Sequence, residues 1–179
     1  SHLTINTTGA VTISGATTQY QLLTASNNLS DLDGLGNISY QWFADGVAVS
    51  GATLKYLALS QALVGKAMTV SANYTDALQT AESVTSTASS AVSNVNDEPT
   101  GSVLISGSLV KDQILPVSNQ LSDLDGPSSL SVSYQWLVNG VVISGANNAT
   151  FTLSNEYVGK LISVTGSYID SYSQLETVT

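Results

Sequence analysis

The chain of 179 residues contains no cysteine, so disulfide staples and thiolate sites of every kind are out of reach. It also has no arginine, only four lysines (Lys55, Lys66, Lys111 and Lys160) and a single histidine, His2, against 13 acidic residues. Phosphate contacts need a basic face, so this balance argues strongly against nucleic-acid partners and disfavours anionic membrane surfaces. With no cysteine, and with its single histidine, His2, reading as part of a tag, Ser–His and Cys–His catalysis are both unavailable. No Gly-rich phosphate loop follows a strand and opens a helix. Apolar runs stay well short of the roughly 18 residues of a membrane span, and no signal-peptide pattern is visible. A non-enzyme is expected, with no membrane insertion. The opening Ser1-His2 reads as a cloning remnant, so a piece of a longer chain is expected. A small domain without disulfides is either cytosolic or a surface protein braced by something else, such as metal.

What the chain does have is repetition. Leu-Ser-Asp-Leu-Asp-Gly occurs at 29–34 and again at 121–126. Gly-Ala-Val-Thr-Ile-Ser-Gly (9–15) returns as Gly-Ser-Val-Leu-Ile-Ser-Gly (101–107), and Tyr40-Gln41-Trp42 returns as Tyr134-Gln135-Trp136. Val64-Gly65-Lys66, Tyr74-x-Asp76 and Glu82 reappear as Val158-Gly159-Lys160, Tyr168-x-Asp170 and Glu176. A period of roughly ninety residues is a whole domain rather than a solenoid unit. Two domains are therefore expected, 1–97 including a linker strand and 98–179. The second is expected to lack its last strand, because residues 84–97 find no counterpart before Thr179.

Alternation with period two dominates both copies. Ile38, Tyr40, Trp42 and Ala44 share one face, as do Val132, Tyr134, Trp136 and Val138, the signature of half-buried antiparallel strands. Asp45-Gly46 and Asn139-Gly140 each follow a Trp strand and predict type I′ hairpins. No segment holds helical periodicity for long, and only short turns near 60–64 and 154–158 are expected. Copy one divides into strands A (11–14), B (20–25), C (39–44), C′ (47–50), E (55–59), F (67–75) and G (84–95). A Trp in mid-strand C and about ninety residues per copy predict an all-β fold of two tandem immunoglobulin-like, cadherin-like antiparallel β-sandwiches. Trp42 and Trp136 are expected in the cores rather than on sugar-stacking surfaces.

The acids are concentrated rather than spread as a solvating coat. In this topology the B–C and F–G loops share one end of a sandwich, which gathers Asp31, Asp33, Asp76 and Glu82 in copy one. Asp123, Asp125, Asp170 and Glu176 gather likewise in copy two. The linker carrying Asn96, Asp97 and Glu98 must then arrive beside Asp123, Asp125 and Asp170. Like charges about 4 Å apart repel by roughly 4 kcal/mol at an effective dielectric near 20. Carboxylates that converge without a cationic side chain must protonate, spread apart or take up a cation. Numerous hard oxygen donors on loops, with Gly after Asp-x-Asp, suit Ca²⁺ better than Zn²⁺ or Mg²⁺. The expected ligands are Asn96, Asp97, Glu98, Asp123, Asp125 and Asp170, with Asp31, Asp33 and Asp76 forming the matching site of copy one. The alternatives are a plain polar turn at Asp31–Gly34, capped by its own Asp, and a glycosidase-like carboxylate pair, which no sign of a pocket supports.

Taken together, Leu-x-Asp-x-Asp-Gly, Ser-Tyr-Gln-Trp with Asp/Asn-Gly, Val-Gly-Lys, Tyr-x-Asp, Glu-Ser and Asn94-Val95-Asn96-Asp97-Glu98-Pro99 resemble the tandem immunoglobulin-like or cadherin-like repeats of giant bacterial RTX-type adhesins. The linker is also similar to the calcium-binding linker of cadherins, departing from it at acidic Glu98. The resemblance implies a non-catalytic extender on the bacterial cell surface, in which junctional Ca²⁺ stiffens a stalk of adjacent repeats. It supports Asn96, Asp97, Asp123, Asp125 and Asp170 as ligands, with a looser match at Glu98 and Glu176. Surface glycans or proteins would be met through other domains of the parent protein. The competing expectation is a carbohydrate-binding or homophilic adhesion module, for sugar or another copy of itself, with Tyr172 and Phe43 as candidate exposed aromatics.

Overall fold

A computed structural model describes residues 6–127 and 129–179. His2, with the rest of Ser1–Ile5, and Ser128 lie outside the described residues. The chain divides into two compact units, Ser1–Val95 and Asn96–Thr179. The architecture is all-β, built from antiparallel sheets, and is consistent with a β-sandwich.

In the first unit, β1 (Val11–Ser14), β2 (Leu22–Asn27) and β5 (Tyr56–Ala58) form one sheet in the order β1-β2-β5. The other has the order β4-β3-β6-β7, from β3 (Ser39–Ala44), β4 (Val47–Ala48), β6 (Met68–Thr75) and β7 (Ala81–Thr85). The second unit repeats both sheets. β8 (Val103–Ile105) and β12 (Thr150–Thr152) flank β9 (Ile114–Asn119). β11 (Val141–Val142), β10 (Ser133–Val138), β13 (Ile162–Ile169) and β14 (Leu175–Val178) follow one another across the larger sheet. Short 3₁₀ turns at Gln61–Leu63 and Asn155–Tyr157 are the helical elements among the described residues.

The alternating positions fill the cores. Trp42 and Trp136 are fully buried, opposite Val70 and Val164 in register. Their indole N–H groups bond the carbonyls of Leu54 and Asn148, each at 2.9 Å, which meets the polar requirement of a buried indole. Leu23, Leu59, Met68 and Val70 pack around Trp42. Leu115 and Val164 surround Trp136, whose ring stacks on Phe151 at 5.2 Å between centroids. Asp45-Gly46 and Asn139-Gly140 all carry positive φ, as type I′ turns require.

The last strand differs from its sequence-based limits. It starts at Ala81, not Val84, and pairs with β6 only as far as Thr85. Beyond it, serine hydroxyls replace backbone acceptors. Val70 N–H donates to Ser86 Oγ and Met68 N–H to Ser89 Oγ, before Ala91 and Val92 return to make isolated bridges with Ala67 and Val64. The earlier start means that Leu175–Val178 forms the matching strand β14 on β13, where the pattern predicts none. The misreading has a physical cause. Glu82 and Glu176 sit on the strand opposite Tyr74 and Tyr168, and an acid at such a position breaks the apolar alternation that marks a strand.

Candidate metal centre

Each Leu-Ser-Asp-Leu-Asp-Gly segment closes on its first aspartate. Asp31 Oδ1 accepts the Asp33 N–H at 2.9 Å, and Asp123 Oδ1 accepts the Asp125 N–H at 2.8 Å. The Gly34 and Gly126 N–H groups bond the Asp31 and Asp123 carbonyls at 3.1 and 3.2 Å. This is the self-capped polar turn, and it accounts for one oxygen of each carboxylate. The other oxygen accepts a tyrosine hydroxyl, from Tyr74 to Asp31 and from Tyr168 to Asp123, both at 2.6 Å. Those tyrosines lie near the ends of β6 and β13, two residues before Asp76 and Asp170. Burial, then the neighbouring aspartate, pushes both phenols above their ordinary pKa, so both stay protonated as donors.

The hairpin aspartates are capped in a similar way. Asp76 Oδ1 accepts the Thr80 N–H at 2.7 Å, while Asp170 Oδ1 accepts those of Tyr172 and Gln174 at 2.8 and 2.7 Å. The turn and hairpin are tied together by Ala77 N–H to Asp33 carbonyl in the first unit and Ser171 N–H to Asp125 carbonyl in the second. In the first unit this brings one oxygen each from Asp31, Asp76 and Glu82 within 4.8 Å of one another. Oxygens that share one Ca²⁺ at 2.3–2.6 Å are at most roughly 5 Å apart, so the spacing fits a common ion. Asp33 is not one of the three. Thr7 adds a hydroxyl beside them, bonded to Tyr74 and 3.4 Å from Glu82 Oε2.

In the second unit the lead-in segment joins the cluster. The Asp97 N–H donates to Asp125 Oδ2 at 2.6 Å, and the Asn96 side-chain amide donates to Glu176 Oε1 at 2.9 Å. Asp123 is half-buried, whereas Glu98 is exposed. Among the described residues no trio of acids in this unit converges as tightly as Asp31, Asp76 and Glu82.

The electrostatics are one-sided. Asp76, Asp125, Asp170 and Glu176 are buried, with 3%, 1%, 6% and 5% of their surface exposed. Asp76 Oδ2, Asp125 Oδ1 and Asp170 Oδ2 are buried without a hydrogen-bond partner, as is the side-chain oxygen of Asn94. Among the described residues the only ion pair is Lys111 with Asp112, which involves none of these acids. A buried carboxylate oxygen with neither donor nor counter-charge is costly. A cation at each cluster would satisfy the orphaned oxygens directly, and an all-oxygen donor set is hard-ion chemistry.

Glu82 and Glu176 were gathered with the aspartates by the repeat, Glu176 as a looser match to a ligand, and the structure shows both facing the aspartate turn from the strand. The contribution that sequence reasoning missed is the hydroxyl of Tyr74 and Tyr168, visible only as Tyr-x-Asp. Of the candidate sugar platforms, Tyr172 is exposed but Phe43 is half-buried. No known protein-family model matches the chain, and no curated protein shows significant similarity to it.

Proposed function

We propose that the chain is a pair of tandem immunoglobulin-like, cadherin-like repeats that serves as a non-catalytic, Ca²⁺-braced extender of an extracellular bacterial adhesin of the RTX type. The observation that carries this reading is the set of buried, partnerless oxygens on Asp76, Asp125 and Asp170, in acidic clusters to which no lysine is paired. Ca²⁺ takes six to eight oxygen ligands and tolerates irregular geometry. Side chains of Asp123, Asp125, Asp170 and Glu176 would supply part of such a shell, with Asn96 and Asp97 at its edge. Asp31, Asp76 and Glu82 would do so in the first unit.

The mechanical consequence follows from where the donors lie in sequence. Asn96 and Asp97 belong to the stretch that joins the repeats, so a cation that engages them clamps this stretch to the loops of the following repeat. The ion would add to the bonds that Asn96 and Asp97 already make to Glu176 and Asp125. Ca²⁺ that binds only this ordered state adds about 2.7 kcal/mol of stability at a hundred times its dissociation constant. Calorimetric titration with Ca²⁺, paired with small-angle scattering before and after chelation, tests the reading. Saturable binding with a stiffer, more extended particle is expected. A chelated protein with the same melting profile and the same scattering curve would remove the basis for it.

A further inference from the structure

A cleft opens at one edge of the second unit, where β12, the edge strand of the smaller sheet, meets the loop after β11, the edge strand of the larger one. Residues from 143–148, from β12 and from the 3₁₀ turn Asn155–Tyr157 enclose about 460 Å³ there, a size usual for small-ligand sites. In the first unit no hydrogen bond of residues 86–95 reaches the counterpart segment 49–63, so the cleft is not the seat of a further strand of the fold.

The rings that line it form a series leading out of the core. Trp136 is fully buried, Phe151 stacks on it at 5.2 Å between centroids, and Tyr157 meets Phe151 at 5.0 Å and 56°. Phe151 and Tyr157 are half-buried. By the internal repeat they stand where the first unit has Leu57 and Leu63, each 7% exposed. Polar groups surround the rings. The side chains of Ser144, Asn148, Thr150 and Thr152 line the cleft and make no hydrogen bond among the described residues. Ser154 Oγ donates to Glu156 Oε1 at 3.0 Å. Burial, then Glu156 beside it, pushes the Tyr157 phenol above its ordinary pKa, so the hydroxyl stays a donor. Leu54, Ala58 and Ala62 occupy the places of Asn148, Thr152 and Glu156 in the first unit, so this combination belongs to the second unit alone.

The chemistry of the lining selects a ligand class. The negative face of an aromatic ring takes the polarised C–H groups of a sugar, while hydroxyl, amide and carboxylate groups serve its hydroxyls as donors and acceptors. A purely apolar occupant would leave those groups without partners. A phosphate or other acidic ligand would meet Glu156, no lysine in the lining and a chain of net charge −9, all of which repel it. We propose that this cleft is a carbohydrate site for a neutral oligosaccharide, with one sugar ring resting on Tyr157 and its hydroxyls bonded to Asn148, Thr152 and Glu156. The site needs no metal, and it stands whether or not the acidic clusters bind Ca²⁺.

The test presents the 179-residue chain, in chelator, to an array of neutral and acidic glycans and follows the bound ones by amide-shift titration. Binding confined to neutral glycans is expected, with shifts at residues 148–157. Tyr157→Leu and Asn148→Leu each install the first unit's residue and should weaken binding by roughly tenfold. Asn148 is exposed, and its carbonyl, which holds the Trp136 indole, is unchanged by the substitution, so this variant keeps the fold if Tyr157→Leu does not. Failure to bind any glycan overturns the proposal. So does affinity that survives both substitutions, which would put the sugar elsewhere, and so does a preference for acidic glycans. Binding that appears only after Ca²⁺ is added also overturns it, because the acidic clusters would then hold the sugar.

Discussion

The Tyr168 hydroxyl donates to Asp123 Oδ2 at 2.6 Å, and that one bond fixes the free oxygen of a carboxylate whose other oxygen closes its own turn. Tyr74 and Asp31 repeat the arrangement in the first unit. The tyrosine does two things. It replaces water on a half-buried charge, and it sets the direction in which the aspartate faces the hairpin acids.

This bond gives the protein an alkaline limit. Burial and the adjacent aspartates raise the folded-state pKa of Tyr74 and Tyr168, and burial does so for Tyr157. A raised pKa contributes stability that is complete below the unfolded value, near 10 for tyrosine, and is lost as pH climbs through the folded value. Stability is therefore expected to be flat with respect to these groups at neutral pH and to fall above about pH 10. Absorbance titration of the eight tyrosines should show a late-ionising fraction that shrinks in a Tyr74→Phe, Tyr168→Phe double variant. At neutral pH, Tyr168→Phe should cost roughly 1.5–3 kcal/mol, the range for a hydrogen bond to a charged group.

Neutralising a buried aspartate should have opposite effects with and without Ca²⁺. Asp170 keeps both amide bonds on Oδ1, while its Oδ2 is buried and unpartnered. In Asp170→Asn the amide oxygen can serve the same two N–H groups, and the new NH₂ becomes a donor among acids. In chelator the variant is expected to melt higher than the parent. If Ca²⁺ binds as proposed, the order should reverse in millimolar Ca²⁺, because the substitution would remove a charged ligand and with it much of the roughly 2.7 kcal/mol that such binding adds at a hundred times the dissociation constant. Calorimetric melts in both buffers decide the matter. A variant less stable than the parent in both would assign Asp170 to hairpin structure alone.

Much of this arrangement is legible in the sequence. The period-two runs and Asn/Asp-Gly turns define the strands, and the recurrence of Asp31, Asp33 and Asp76 as Asp123, Asp125 and Asp170 brings the acids into view. What stays hidden is facing. Glu98 and Glu176 look alike as acids near a turn, yet one is exposed and the other is 5% exposed with Asn96 bonded to it. That distinction depends on strand register, which pairs Glu176 with Tyr168 and cannot be read from spacing while the start of the strand is itself misplaced. Nor does composition tell which oxygen of an aspartate is already used by its own turn.

The same distinction makes a prediction about ligand choice. Glu176→Gln should weaken Ca²⁺ binding by at least tenfold, about 1.4 kcal/mol, because it removes a buried charge from the cluster. Glu98→Gln should change affinity little, since an exposed carboxylate is screened and solvated. Isothermal titration of the two variants side by side gives the comparison. Equal losses would mean that Glu98 turns inward when the ion binds, and the ligand set would need to be redrawn to include it.

The repeated glycines Gly9 and Gly101 offer a last test, of how the lead-in segment is held. Gly101 has φ of 92°, and a Cβ there would lie 2.0 Å from the Gln120 carbonyl oxygen. The neighbouring Thr100 exchanges backbone bonds with Ser122 at 2.7 and 2.9 Å, so the chain leading from Asp97 runs tightly against the segment that carries Asp123 and Asp125. Gly101→Ala must push these two segments apart and hold alanine at an unfavourable φ, a strain of about 1–3 kcal/mol before the clash is counted. Gly140 is the control. It has φ of 77° but nothing within 4 Å of an added Cβ, so Gly140→Ala carries the backbone strain without the collision. Gly101→Ala is expected to lower the melting temperature more than Gly140→Ala and also to weaken Ca²⁺ binding, because the Asp97 amide is drawn off Asp125. Gly140→Ala should leave the affinity where it was. If the two variants lost stability equally and bound Ca²⁺ equally well, the close approach at Gly101 would have no part in positioning the acidic cluster.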